Sequence, residues 1–583
     1  MYIALFFTAV AALSEGFGII MLLPLLSNLG QPEMQDVATD EAELDGFSSI
    51  ANDFLLVLGY GGSTEMVLIT IAIAFLLKGV ITFLGLSYNA HLRGQLLTKL
   101  KSVLFKSYSH MDYEYYAGRD TGYFVNLVNE QANRSLQSFF YLTQVSAQAI
   151  NAFVYLTFAF FIAWRFGLMA LAVGIILMLL FQWLNSFVRD LSRSLAHENG
   201  VLSKLLIQAM QSFKYLNATS QIEPIGKQIN LSIDRLANYE FQTHAAAGFT
   251  LAAREPIAVA LIVAILAVQL FYFEQPLAPI LVSVLLFYRA MNSMLGVQGY
   301  LQGALEYIGS IELINEELIR QQENREKSGN QQIDKLSEKI ELKGISFGYN
   351  NNSKIISDLD LVIAVRSTMA IIGPSGAGKS TIADLLTLSL RPSSGTLSID
   401  GIDSREIALS SWRNQIGYVS QETVVFDETI ANNICLWAGD YRSDEVLLQA
   451  IEEAADKANL SEFIKSLPQG YDTEIGERGL RLSGGQRQRL FIARELFRKP
   501  LLLILDEATS ALDTLSELEI QKSIDRLHGE VTVVIIAHRL ATIKNVDTVC
   551  VIEEGKMVEH GCFDELKNKE NSRLRYLLDL QSL

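Results

Sequence analysis

Eight consecutive residues, Gly373, Pro374, Ser375, Gly376, Ala377, Gly378, Lys379 and Ser380, combine three glycines with a lysine and two hydroxyls. Glycines let backbone N–H groups close on phosphate oxygens, and a helix N-terminus adds positive potential. The run follows an apolar strand, 367–372, and precedes a helical stretch from Thr381, the context such a phosphate loop requires. In that setting Lys379 reaches the β and γ phosphates and Ser380 ligates Mg²⁺. Further on, the buried-strand pattern Leu501–Leu505 ends in Asp506 and Glu507. Two adjacent carboxylates repel unless a cation and a water separate their duties. Asp506 is placed to hold Mg²⁺, and Glu507 to polarise an attacking water as general base. Between the two lies Leu482-Ser-Gly-Gly-Gln486, so Ser483, Gly484, Gly485 and Gln486 join the candidates for binding nucleotide.

Three further residues carry less weight alone. His538 follows the apolar stretch 531–537, and a lone histidine is more often structural. Gln421 follows the stretch 416–420. Tyr349 precedes the phosphate loop by about two dozen residues, and can be a core aromatic or can stack on adenine. Spacing does not decide these three.

The elements that position these groups fall into two halves. Apolar residues make up 50% of the chain, and the long runs all lie before about residue 300. A spanning helix needs about 20 apolar residues. Six segments qualify, at about 2–26, 66–86, 141–164, 167–188, 257–273 and 277–297. Basic residues set their orientation. Six lie between the second and third spans (Arg93, Lys99, Lys101, Lys106, Arg119, Arg134) and seven between the fourth and fifth (Arg189, Arg193, Lys204, Lys214, Lys227, Arg235, Arg254). The other connections carry only Arg165. Both basic segments and the C-terminal half therefore face the cytoplasm, and the acidic 29–65 loop faces outward. The basic segments hold about 54 and 68 residues with helical patterns, so the membrane helices are expected to run on into the cytoplasm. They turn back near 115–122 and 211–214. The chain enters the membrane almost at Met1, so either its start lies upstream or no surface segment precedes the first span.

The polar stretch 320–338 reads as a linker. It separates a membrane domain, 1–319, from a soluble domain, 339–583, in which short strands alternate with helices. The fold class is thus multidomain: an all-α six-helix transmembrane domain, then an α/β P-loop ATPase domain. The net charge of −17 excludes a nucleic-acid partner. Cys435, Cys550 and Cys562 lack metal or disulfide spacing and read as free thiols.

With these motifs in this order, the chain resembles the ATP-binding cassette transporters of the exporter type, as a half-transporter. The resemblance covers nearly the whole length. It implies that Leu482–Gln486 is the signature that closes over ATP held by a second subunit, with Ser483 and Gly485 donating to the γ-phosphate. Gln421 resembles the Q-loop glutamine, at the metal and linked to the membrane domain. His538 resembles the switch histidine, Tyr349 the adenine-stacking aromatic, and Ser510–Asp513 the D-loop, with Asp513 at the dimer boundary. The segment 473–479 is similar to the exporter-type stretch that touches the partner's cytoplasmic loops. The implied cofactors are ATP and Mg²⁺, and the implied partner is a second copy. A heterodimer stays open. Closure on ATP would turn an inward-open cavity outward, and hydrolysis would reset it.

The cargo is written less plainly. Charged residues inside spans are costly and tend to line cavities. Glu15, Lys78 and Arg289 sit within the first, second and sixth spans, and Arg254 and Glu255 at the entry to the fifth. Glu15 can pair with Lys78 or Arg289 as a buried bridge, or the cations can receive an anionic head group such as a phosphate. The stretches 14–24 and 74–79 look similar to the branch of lipid-linked oligosaccharide flippases and glycolipid exporters. An amphipathic lipid-linked glycan or glycolipid, moved across the cytoplasmic (inner) membrane, is the first expectation. A peptide or multidrug cargo is the alternative, and an ATP-gated regulator or channel is the reading from another class.

Overall fold

The computed structural model describes residues 2–23, 25, 64–162, 168, 172, 182–272, 277–349, 354–476, 479, 481–508, 514–537 and 543–581. It divides into two compact units, residues 1–111 with 116–325, and 112–115 with 326–583.

The described elements before residue 325 are helical: α1 (Tyr2–Ile20), α2 (Thr64–Tyr108), α3 (Tyr113–Ala117), α4 (Thr121–Asn126), α5 (Ala132–Ile162), α6 (Gln182–Gln211), α7 (Phe213–Ala218), α8 (Ile222–Tyr272), α9 (Leu277–Glu306) and α10 (Ile308–Glu323). A π-turn at Leu127–Gln131 joins α4 to α5. Among the described residues, α1, α2 and the continuous Thr121–Ile162 run are long and apolar enough to cross a membrane. The fifth and sixth expected spans lie on α8 and α9. The 29–65 loop lies outside the described residues, except for its last two, and so does most of the fourth expected span. At 1.5 Å per residue, α2 and α8 reach about 68 and 77 Å, more than twice a hydrocarbon core. Their excess length extends beyond any bilayer.

Chain reversals fall where turn residues interrupt the helical pattern: at Gly118–Asp120, before α4, and at Ser212 and Thr219–Gln221, around α7. α10 continues to Glu323, because Ile319-Arg-Gln-Gln-Glu323 are good helix formers despite their polarity.

Small residues and hydroxyls bring these helices close, as membrane packing favours. A Cβ at Gly16 of α1 would lie 2.1 Å from the Phe158 ring on α5, so only glycine admits that approach. Ser14 Oγ donates to the Ala74 carbonyl at 2.8 Å, and Ser138 Oγ to that of Ala304 at 2.9 Å.

The second unit carries two sheets. β1 (Lys339–Phe347), β2 (Ile356–Ala364), β4 (Ser394–Ile399) and β5 (Ile402–Asp403) form an antiparallel sheet in the order β2-β1-β4-β5. β3 (Thr368–Ile372), β6 (Ile416–Val419), β7 (Leu502–Asp506), β8 (Thr532–Ile536), β9 (Thr548–Glu553) and β10 (Lys556–Gly561) form the larger one, β10-β9-β3-β8-β7-β6. Only β10 in it is antiparallel. Alternate residues of its strands enter two apolar cores: Ala370, Leu503, Leu505, Val533 and Ile535 on one face, Met369, Ile371, Ile504, Val534 and Ile536 on the other. Burial on both faces accounts for the unbroken apolar runs. Cys435, Cys550 and Cys562 are free thiols, the first two buried.

Candidate functional site: a phosphate loop and a charged membrane cavity

β3, β6, β7 and β8 run parallel, so their C-terminal ends share one edge of the sheet, where α/β folds bind ligands. β3 delivers the Gly373–Gly378 loop there, and β7 delivers Asp506 and Glu507. Gly373 has φ +153°, and a Cβ on it would stand 2.0 Å from the Ile552 carbonyl oxygen. Gly376 and Gly378 have φ +79° and +97°. The loop therefore presents bare backbone, and the helix Lys379–Leu386 begins directly behind it.

Lys379 is buried, and its Nζ donates to the carbonyls of Gly373 and Pro374, both at 3.0 Å. Burial lowers its pKa, while Glu507 and Asp506 act in the opposite sense. Ser380 Oγ donates to Asp506 Oδ1 at 3.4 Å. Asp506 is buried, which raises its carboxyl above the usual range. Ser380 and Asp506 offer oxygen donors of the kind Mg²⁺ prefers. With the glycine cradle, the residues present fit a magnesium nucleotide. Gln421 Nε2 donates to Glu507 Oε2 at 2.8 Å. Glu507 itself has φ +50°, a left-handed conformation that costs a non-glycine residue about 1–2 kcal/mol. Such strain is retained where geometry serves function.

Thr381, like Lys379, is buried on the phosphate-loop helix. Tyr349 is half-exposed and packs edge-on against Phe347 at 5.1 Å. Ser483 and Gln486 form a reciprocal capping box at the start of the helix Gly484–Phe497, at 3.2 and 2.8 Å. Among the described residues, no hydrogen bond joins this segment to the phosphate loop. Gly484 is half-buried and Gly485 buried. His538 and Asp513 lie outside the described residues, as do Glu477 and Arg478 of the 473–479 segment.

Sequence reasoning missed Asp384 and Tyr418. Asp384 stands one helical turn beyond Ser380, a spacing that signals a shared face. Burial, then Asp506, pushes its pKa up to about 6. Tyr418 Oη donates to Asp506 Oδ2 at 3.5 Å. Because the fold disfavours ionised Asp384, the carboxylate costs stability above about pH 6, and the cost vanishes as pH falls towards its ordinary value of 3.8. In nucleotide-free protein, Asp384→Asn should therefore raise Tm by several degrees at pH 7.5 and by almost nothing at pH 4. An equal gain at both values would contradict this origin.

In the first unit, Glu15 is 2% exposed, and both candidate bridges form on it. Lys78 Nζ lies 2.6 Å from its Oε2 and Arg289 Nη2 3.3 Å from its Oε1, while the Tyr155 hydroxyl donates to Oε2. These four residues also line a cavity of about 380 Å³. The cation side chains are 30% and 45% exposed, against 3% for the carboxylate. The amides of Gln144, Gln148, Asn151 and Asn292 complete a polar wall carrying two positive charges against one negative. Arg254 lies on the backbone of α8, but its side chain, like that of Glu255, lies outside the described ones.

A family model described as ABC transporter matches residues 356–510, and one described as ABC transporter transmembrane region matches residues 42–294. The heterocyst differentiation ATP-binding protein HepA of Nostoc sp. is 30% identical across 98% of this chain and 93% of its own. The ATP-dependent lipid A-core flippase of Coxiella burnetii is 31% identical across 85% and 84%. A solved bacterial Atm1-family ABC exporter with ATP bound superposes with a TM-score of 0.78 at 25% identity, over 97% of this chain and 98% of that one.

A fused helical membrane unit and a phosphate-loop ATPase unit define an ATP-driven transporter. The chain belongs to the ATP-binding cassette transporter family, with the exporter fold, and couples ATP hydrolysis to transport across a membrane.

Proposed function

We propose that the protein is a homodimeric flippase or exporter of a lipid-linked glycan or glycolipid with an anionic head group, working in the cytoplasmic (inner) membrane on Mg²⁺-ATP. The observation that carries this reading is the polar cavity, where Lys78 and Arg289 are reachable and their partner Glu15 is not. An anion gains from two cations in a low-dielectric wall, and the surrounding amides suit hydroxyl-rich groups. An apolar drug would bury this polar wall without adding a bond to it. Relatives named lipid A-core flippases support the same class of cargo.

In this reading Lys379 and the loop N–H groups hold the phosphates. Ser380, Asp506 and Gln421 would hold Mg²⁺, which would neutralise phosphate charge. Glu507 takes the proton of the attacking water, oriented by Gln421, and His538 senses the γ-phosphate. Tyr349 stacks on adenine. Ser483 to Gln486, with Asp513, meet the nucleotide of the second copy.

Lys78→Ala and Arg289→Ala should each lower ATPase stimulation by a polyprenyl-phosphate-linked glycan in nanodiscs by about tenfold, the effect of about 1.4 kcal/mol, and leave basal turnover unchanged. Unchanged stimulation in both variants would defeat the cargo assignment.

A further inference from the structure

α5 and α9 carry two cavities in succession. The charged one takes Gln148, Asn151 and Tyr155 from α5 with Arg289 and Asn292 from α9. The second, about 330 Å³, takes Tyr141 from α5 and Gly299, Tyr300 and Gln302 from α9, with Tyr307 just beyond and His244 from α8. That volume lies in the range of small-ligand sites, about 300–1,000 Å³. The two adjoin at Gly296, which lines the second while a Cβ on it would sit 3.2 Å from Gln148, which lines the first. Of these, Tyr141, Gly299, Tyr300 and Gln302 lie at or beyond the basic-segment ends of the expected spans.

The second cavity has a different chemistry. Tyr141 and Tyr307 stack at 5.9 Å with planes 11° apart, and Tyr300 lies 6.2 Å from Tyr141. Gln302 is 3% exposed; its Oε1 accepts from Thr250 at 2.6 Å, yet its buried Nε2 has no partner. An unmade bond of this kind costs free energy that a ligand oxygen would recover. Glu306 adds an acceptor and repels a phosphate. Arg134 already lies 5.0 Å over Tyr307, as the cation these rings attract. What remains is a neutral group with an apolar face for the rings and hydroxyls for the amide and carboxylate. A pyranose ring has both.

We propose that this cavity is a glycan subsite, which takes a sugar ring of the cargo while its phosphate occupies the Lys78–Arg289 cavity. The proposal rests on the anionic-cargo reading of that first cavity. Gly299 offers a variant that narrows the cavity: a Cβ there meets nothing within 4 Å, so a leucine side chain starts into open space. Gln302→Leu removes the unpaired donor, and the Thr250 hydroxyl, no longer donating to Gln302, turns to the Ala246 carbonyl 3.1 Å away.

The test is ATPase stimulation in nanodiscs by polyprenyl phosphate, the same lipid carrying a disaccharide, and the free disaccharide. In wild-type protein the glycosylated lipid should reach half-maximal stimulation at about a tenfold lower concentration than the bare lipid. The free sugar should be silent at the same concentrations. Gly299→Leu and Gln302→Leu should erase the difference by weakening only the glycosylated response. Equal responses to the two lipids in wild type, stimulation by free sugar, or a difference that survives in both variants would overturn the subsite. Silence towards both lipids would instead remove the anionic-cargo reading, and this proposal with it.

Discussion

Glu507→Gln is expected to lower steady-state ATP hydrolysis by about 10²–10⁴-fold while ATP affinity stays near wild type. Glu507 is held at the end of β7 by a backbone N–H bond to the Ile536 carbonyl at 3.0 Å, and its side chain accepts from Gln421 at 2.8 Å. Glutamine keeps the shape and can still accept that bond through its amide oxygen, but it cannot take a proton from water. The phosphate loop, Lys379 and Ser380 are untouched, so binding persists and the nucleotide-bound state accumulates. Single-turnover hydrolysis alongside equilibrium ATP binding separates the two effects. Hydrolysis near the wild-type rate would place the general base elsewhere.

Gly373→Ala is expected to weaken ATP binding by more than about tenfold, a loss exceeding about 1.4 kcal/mol. The new Cβ would stand 2.0 Å from the Ile552 carbonyl oxygen on β9, and a backbone atom in a strand paired on both sides cannot swing aside as a flexible side chain would. The loop must move, and with it the N–H groups that face phosphate. Gly376→Ala is the control. Its φ of +79° makes alanine strained by about 1–2 kcal/mol, yet its Cβ meets nothing within 4 Å. Nucleotide titrations of the two variants should differ clearly. Equal affinities would mean that backbone strain alone, without the Ile552 contact, shapes the loop.

Much of this was legible because local pattern and chemistry agree. The phosphate loop lies between an apolar strand and a helix in the sequence, and the fold puts it there. The pairing of Gln421 with Glu507 was not legible, because it follows from β6 lying beside β7 in a sheet whose order is not sequential. Asp384 went unread for lack of knowledge that its helix faces Asp506. Ser483 and Gln486 also have the spacing of a capping box, which the structure forms. In the membrane unit, apolar run length marks candidate spans but not which of them are neighbours. That Lys78 and Arg289 share one carboxylate on α1 could only come from packing. Nor does periodicity show that the bridge and the cavity lining are the same residues.

The most direct test of the account is redistribution of a fluorescent polyprenyl-phosphate glycan in proteoliposomes whose ATPase units face outward. A membrane-impermeant quencher added outside should lose access to the cargo in the presence of ATP, and Glu507→Gln should abolish that loss. Vigorous ATP hydrolysis with no change in quencher access would contradict flipping of an anionic lipid-linked glycan.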